Sequence, residues 1–195
     1  MSRNPIIGYA GLTHLGINSA AAAAKMGFQT VAFDPDSTLV RRISQGDLPV
    51  VEPNLDALIQ NNRMRLDFTS DLGRLEECDV VYISPDVSTD DEGNSNLDDV
   101  IALLDMTDPA LRSDALTVVL SQVSPGFMRS LGRNPGKTFC QVETLVFGRA
   151  VERATQPERF IIGCAESGVP LPKNLTTFLE AFGCPILPMR YESAE

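Results

Sequence analysis

The chain has little of what metal centres, disulfide scaffolds and hydrolytic triads require. It contains one histidine, His14. Its four cysteines (Cys78, Cys140, Cys164 and Cys184) are far apart, with no C-x-x-C pair. Such a set does not assemble a metal site, and the cysteines read as buried apolar side chains in a reducing cytosol. A Ser-His-Asp triad is equally unpromising, because the one imidazole lies in a turn with another use. Positive charge is scarce: 16 lysines and arginines against 26 acids give a net charge of −10. That balance argues against nucleic acid or an anionic membrane as partner. No apolar run is long enough to span a bilayer. Met1-Ser2-Arg3-Asn4-Pro5 leads straight into a strand and does not resemble a signal peptide. There is no internal repeat and no low-complexity linker. The 195 residues suffice for one substantial domain with its own core, expected in the cytoplasm.

What is present is concentrated between Ile6 and Asp36, in the order strand, tight turn, helix, turn, strand, acid. Pro5 to Ala10 is a short apolar run suited to a strand buried on both faces. Gly11 allows a sharp turn, and Gly16 lets the following helix lie close to the strand. Asn18 to Met26, with five consecutive alanines, is a strong helix former that Gly27 stops. Gln29 to Phe33 is the second strand, closed by Asp34, 23 residues beyond Gly11. A βαβ unit of this form holds a dinucleotide, with the pyrophosphate at the helix N-terminus and the acid on a ribose. The acid favours NAD over NADP, because it repels a 2′-phosphate. Candidate cofactor-binding residues in this unit are Gly11, Leu12, Thr13, His14, Leu15, Gly16 and Asp34. Thr13 departs from the G-x-G-x-x-G fingerprint, where a glycine lets the backbone approach the pyrophosphate.

Further along, Ser37–Gln45 reads as a helix capped by Asp36 or Ser37. A second helix starts at Glu52-Pro53-Asn54 and runs to about Asn61. Arg63–Phe68 and Cys78–Ser84 read as strands, with a short helix from Ser70-Asp71 between them. A polar loop, Pro85–Ser95, precedes a helix over Asn96–Met106 with Leu97, Val100, Ile101 and Leu104 on one face. Strands follow at Ala115–Val123, Thr138–Val142, Arg159–Cys164 and Pro185–Met189, with helices at Pro125–Leu131 and about Lys173–Phe182. Strands alternating with helices give an α/β fold, a doubly wound, mostly parallel Rossmann-type sheet. Ligands sit at the C-terminal strand ends of such sheets, here the loops after Ala10, Asp34, Ser84, Gln122 and Val142.

Six ordered segments resemble the UDP-glucose/GDP-mannose dehydrogenase family. Gly8-Tyr9-Ala10-Gly11-Leu12 opens the nucleotide fold. Gly46 to Asp56, through Glu52-Pro53-Asn54-Leu55, looks like "G-x-x-P-x-x-E-P-G-L". Asp79 to Ser84 leading into Thr89–Asp98 is similar to the family's strand and glycine-containing loop. Ser121-Gln122-Val123-Ser124-Pro125-Gly126 resembles "S-T-V-P-x-G". Glu143 to Glu152 resembles "E-F-L-x-E-G-x-A-V-x-D", and Pro157 to Gly163 resembles "P-x-R-x-V-x-G".

The resemblance implies NAD-linked oxidation of a sugar-nucleotide C6 hydroxyl to a carboxylate. It implies residues 1–190 as the NAD-binding domain and 191–195 as the start of a linker helix. The catalytic cysteine and the sugar-nucleotide domain of full-length members have no counterpart in this sequence. A thiohemiacetal needs that thiolate, so the chain alone is not expected to complete the four-electron oxidation. Its nucleotide sugar would be read largely by the missing domain, and full members dimerise, so an oligomer is possible. Glu143 matches the family's general base toward the thioester-hydrolysing water, and Ser84, Ser121 and Gln122 fall at loops facing the cofactor. Against this, Phe147 stands at the family's second glutamate, Gln122 at the threonine of "S-T-V-P", Gln141 at the asparagine before "P-E-F", and Pro85-Asp86-Val87-Ser88 at "V-P-T-P". The alternative reading is a degenerate, non-catalytic Rossmann binding module. A dehydrogenase of the β-hydroxyacid type shares the opening but lacks the Glu52-Pro53 segment.

Overall fold

A computed structural model describes residues 3–92, 95–166 and 168–195. Within them eight strands form one sheet in the order β3-β2-β1-β4-β5-β6-β7-β8. The strands are β1 (Ile7–Ala10), β2 (Thr30–Phe33), β3 (Leu66–Thr69), β4 (Val80–Ile83), β5 (Leu116–Val119), β6 (Thr138–Gln141), β7 (Phe160–Cys164) and β8 (Ile186–Arg190). Neighbours pair in parallel except β6 with β7, which run antiparallel. The helices are α1 (His14–Lys25), α2 (Ser37–Ser44), α3 (Leu55–Asn62), α4 (Asp98–Thr107), α5 (Phe127–Ser130), α6 (Ala150–Thr155), α7 (Lys173–Glu180) and α8 (Tyr191–Ala194). The order turns back on itself at β1 and β4, which are neighbours; this is the switch point where open α/β sheets take ligands.

Central strands β1, β2, β4 and β5 are buried along their whole length, as parallel strands covered on both faces must be. Alternate residues feed two cores. Tyr9, Tyr82 and Val118 join Phe28 and Phe178 on one face; Ala10, Val81 and Ile83 join Val100, Leu104 and Met128 on the other. Tyr82 stacks on Tyr9 with ring centroids 5.0 Å apart, and its hydroxyl donates to Gln141 Oε1 at 3.1 Å. The edges differ: β3 and β8 are partly exposed, and Pro188 is tolerated in β8 because an edge strand can spare a donor.

Helix α1 is buried from His14 to Ala24. It packs on the sheet and against α3 and α6. Alanine side chains let three helices approach closely, and a helix apolar on all sides belongs in an interior. It begins at His14, four residues before the expected Asn18. The Ala150–Thr155 helix was not anticipated, because six residues give too short a pattern to register. In α4 the buried stripe is Val100, Leu103, Leu104 and Thr107, while Ile101 is 41% exposed. The expected Pro85–Ser95 loop is present as far as described, with Thr89 bridging Ser95; its Gly93 and Asn94 lie outside the described residues, as do Met1 and Ser2. Asn54, at the glycine of the "E-P-G-L" pattern, holds φ 68°, a left-handed conformation asparagine tolerates better than most residues.

Candidate functional site

The site is built where β1 and β4 lie side by side. Gly11 ends β1 with φ +98°, and a Cβ there would lie 2.8 Å from the backbone nitrogen of Pro85. At Gly16 a Cβ would come within 1.9 Å of the Gly11 carbonyl oxygen. Both residues are therefore fixed by close backbone approach. Asp34, at the end of β2, faces this turn: its Oδ2 accepts from the Leu12 amide at 2.8 Å and its Oδ1 from the Asp36 amide at 2.9 Å.

The loop after β4 crosses in front of α1. Thr13 caps that helix in extended backbone, and its hydroxyl donates to the Ser84 carbonyl (3.2 Å) while accepting from the Asp86 amide (2.9 Å). The Asp86 carboxylate then accepts from the first two helix amides, His14 at 3.0 Å and Leu15 at 3.1 Å. Ser84 is fully buried, its hydroxyl directed at the carbonyls of Ala10 and Gly11. Ser121 is buried as well and donates to the Pro85 carbonyl. The loops after β1, β4 and β5 are thus knitted across the crevice by short polar side chains.

His14 points the other way. Its Nε2 meets Glu52 Oε1 at 2.7 Å, and since an ionised carboxylate only accepts, the imidazole is the donor. Phe147, 77% exposed, stacks on the imidazole at 4.1 Å. Glu52 also accepts from the amides of Gly148 (2.9 Å) and Ala150 (3.3 Å), so one buried carboxylate caps α6 and ties it to α1. Burial alone would raise the Glu52 carboxyl; the Gly148 amide, the His14 hydrogen bond and the Ala150 amide more than reverse this, holding it below the usual range.

On the β5–β6 side a cavity of about 250 Å³ is lined by Ser121, Gln122, Gln141 and Glu143, with Glu195 at its margin. Glu195 accepts from the amides of Gly126 and Met128, both at 2.6 Å. Gln122 is exposed and Glu143 partly buried. Burial pushes the Glu143 carboxyl up to about 7, with the Thr144 and Leu145 amides and His14 pulling it partly back. An acid whose native value is raised destabilises the fold as pH rises from the unfolded value near ~4.3, and the penalty is complete above about 7. Glu143→Gln is therefore expected to raise the melting temperature by roughly 5 °C at about pH 8 and by under roughly 1 °C near about pH 4. Equal shifts at the two pH values in a calorimetric scan would contradict this. The thiols offer no ready nucleophile here, because burial pushes both Cys78 and Cys140 up to about 12.

Tested against a dinucleotide, the site divides. Gly11, Gly16 and the Asp34 carboxylate fit: the turn is tight, the helix is close and the acid stands at the second strand's end. The segment from β4 does not fit, because the His14 and Leu15 amides that would face a diphosphate already carry Asp86. The sequence marked Asp86 as a departure but gave no sign that it would cap α1, a contact across 72 residues. Glu52 was visible as part of a motif, not as the partner of His14. Among the described residues no helix is long and apolar enough to cross a membrane.

Comparison with known proteins bears on the same region. Residues 6–169 match the model of the UDP-glucose/GDP-mannose dehydrogenase family, NAD binding domain. A UDP-glucose 6-dehydrogenase of Pseudomonas aeruginosa is 28% identical over 179 residues, covering 80% of this chain and 38% of that protein. UDP-glucose 6-dehydrogenase TuaD of Bacillus subtilis is 26% identical over 198 residues, covering 95% and 42%. The fold is that of a UDP-glucose dehydrogenase from Pyrobaculum islandicum (TM-score 0.85, 24% identity, 99% of this chain and 48% of that one). It is also that of a GDP-mannose dehydrogenase from Pseudomonas aeruginosa (TM-score 0.83, 24% identity, 96% and 47%). The chain spans less than half the length of these relatives. With its glycine turn, its acid at the end of β2 and a match over most of its length, the chain belongs to the UDP-glucose/GDP-mannose dehydrogenase family, as its NAD-binding domain.

Proposed function

We propose that this chain is the coenzyme-binding part of a nucleotide-sugar 6-dehydrogenase, acting in the cytoplasm in the supply of sugar acids for polysaccharide. The observation that carries the reading is the Asp34 carboxylate held against the glycine turn at the switch point. Its second oxygen has lone pairs to spare for ribose hydroxyls, and its charge disfavours a 2′-phosphate. NAD, when bound, supplies the hydride acceptor. This chain's residues hold and orient it: Gly11 to Gly16 at the diphosphate, Asp34 at the ribose, and Ser121 and Gln122 beside the reacting end. Glu143 is assigned as general base at the margin of that cavity, and its raised affinity for a proton supports the role. The sugar nucleotide and the thiolate nucleophile are assigned to a further domain of the kind that makes up the rest of the longer relatives, and Tyr191–Glu195 to the start of the helix leading there.

Isothermal titration with NAD and NADP tests the coenzyme assignment. NAD is expected to bind in the micromolar-to-millimolar range, at least about tenfold more tightly than NADP, a difference of about 1.4 kcal/mol. Absence of heat and of any thermal shift with millimolar NAD would overturn it.

A further inference from the structure

A carboxylate from outside the glycine turn occupies the first two amides of α1. Asp86 follows β4, and its two carboxylate oxygens sit one on each of the amides of His14 and Leu15. Those amides belong to the first turn of a twelve-residue helix, where donors lack partners inside the helix and the dipole favours an anion. A diphosphate seated at the N-terminus of this helix needs the same donors. Asp86 satisfies them with the same chemistry, an anionic oxygen pair, at ordinary hydrogen-bond length. A second, independent contact fixes it there: its own amide donates to the Thr13 hydroxyl, the side chain that stands at the fingerprint's middle glycine. The departure at Thr13 and the departure at Asp86 are therefore two halves of one arrangement.

We infer that Asp86 is an internal competitor for the diphosphate seat, so that NAD binds only by displacing its carboxylate. This rests on the coenzyme assignment above. Asp86 is solvent-exposed, so its side chain can rotate into water and be rehydrated there; the competition weakens binding without abolishing it. Removal of the carboxylate frees both amides and takes a negative charge away from a negatively charged ligand.

The test is calorimetric titration of the full 195-residue chain, as wild type, Asp86→Ala and Asp86→Asn, with NAD, ADP and adenosine. Asp86→Ala is expected to bind NAD and ADP about tenfold more tightly than wild type. Adenosine, which lacks phosphate, is expected to bind both alike. Asp86→Asn keeps an acceptor oxygen without the charge and is expected to fall between. In wild type the His14 and Leu15 amide resonances are expected to shift on NAD addition, as one anion replaces another. Equal NAD affinities for wild type and both variants would overturn the inference and leave the coenzyme assignment standing. An equal gain for adenosine would overturn it too, because the effect would not then be at the diphosphate. No heat with NAD from any of the three proteins would overturn both readings.

Discussion

Gly16→Ala is expected to cost the domain about 3 kcal/mol or more and to abolish NAD binding with it. The added carbon would lie 1.9 Å from the carbonyl oxygen of Gly11 and 2.8 Å from the Ser84 hydroxyl oxygen. Neither neighbour can yield cheaply. Gly11 is held in a left-handed conformation against the backbone of Pro85, and Ser84 is fully buried with its hydroxyl on the carbonyls of Ala10 and Gly11. Helix α1 would have to move off the sheet, yet α3 and α6 pack against it. The general helix preference for alanine over glycine, under about 1 kcal/mol, is too small to offset this. In a chain of this size the loss corresponds to a melting temperature lower by roughly 10 °C. A variant melting within about 3 °C of wild type would show that the helix can shift without penalty.

Glu52→Ala is expected to be of similar size, about 3 kcal/mol, by a different route. No space is overfilled; instead three donors lose their acceptor. The imidazole of His14 and the amides of Gly148 and Ala150 all point at one fully buried carboxylate. Its removal leaves the buried His14 imidazole and Ala150 amide without their acceptor, and unties α6 from the start of α1. Glu52→Gln retains an acceptor oxygen and is expected to recover about half the loss, a rescue that simple loss of packing would not predict. The linkage has a definite sign. The native carboxyl lies below its usual range, so the stabilisation is complete above the unfolded value near ~4.3 and is lost as pH falls through the lowered native value. The stability gap between wild type and Glu52→Ala should thus narrow under acid. Equal differences in melting temperature across that window would refute the assignment. Glu143 acts in the opposite sense, its penalty growing as pH rises from the unfolded value near ~4.3 to about 7.

Much of this was legible in the residues, and the reason is range. Strand, turn, alanine helix and acid between Ile6 and Asp36 are written in local spacing. What stayed hidden depends on residues far apart in sequence. Asp86 reaches α1 across 72 positions and Glu52 reaches Ala150 across 98, and neither contact leaves a periodicity. The antiparallel step at β7 is likewise a property of pairing: Cys140 meets Gly163, and nothing in either strand alone sets direction. In the sequence Thr13 stands only as a departure from the fingerprint's middle glycine. In the folded chain it is a hydrogen-bonding link, and the obstruction is supplied by the residue it positions.

Helix α1, enclosed on all sides, has a consequence for how the domain breathes. Its backbone protons from Asn18 to Ala24 can reach solvent only through near-global opening, so they should be among the slowest to exchange with deuterium. The surface segment carrying Asp86 should exchange orders of magnitude faster. An arriving anion thus meets a stationary pillar on one side and a yielding side chain on the other.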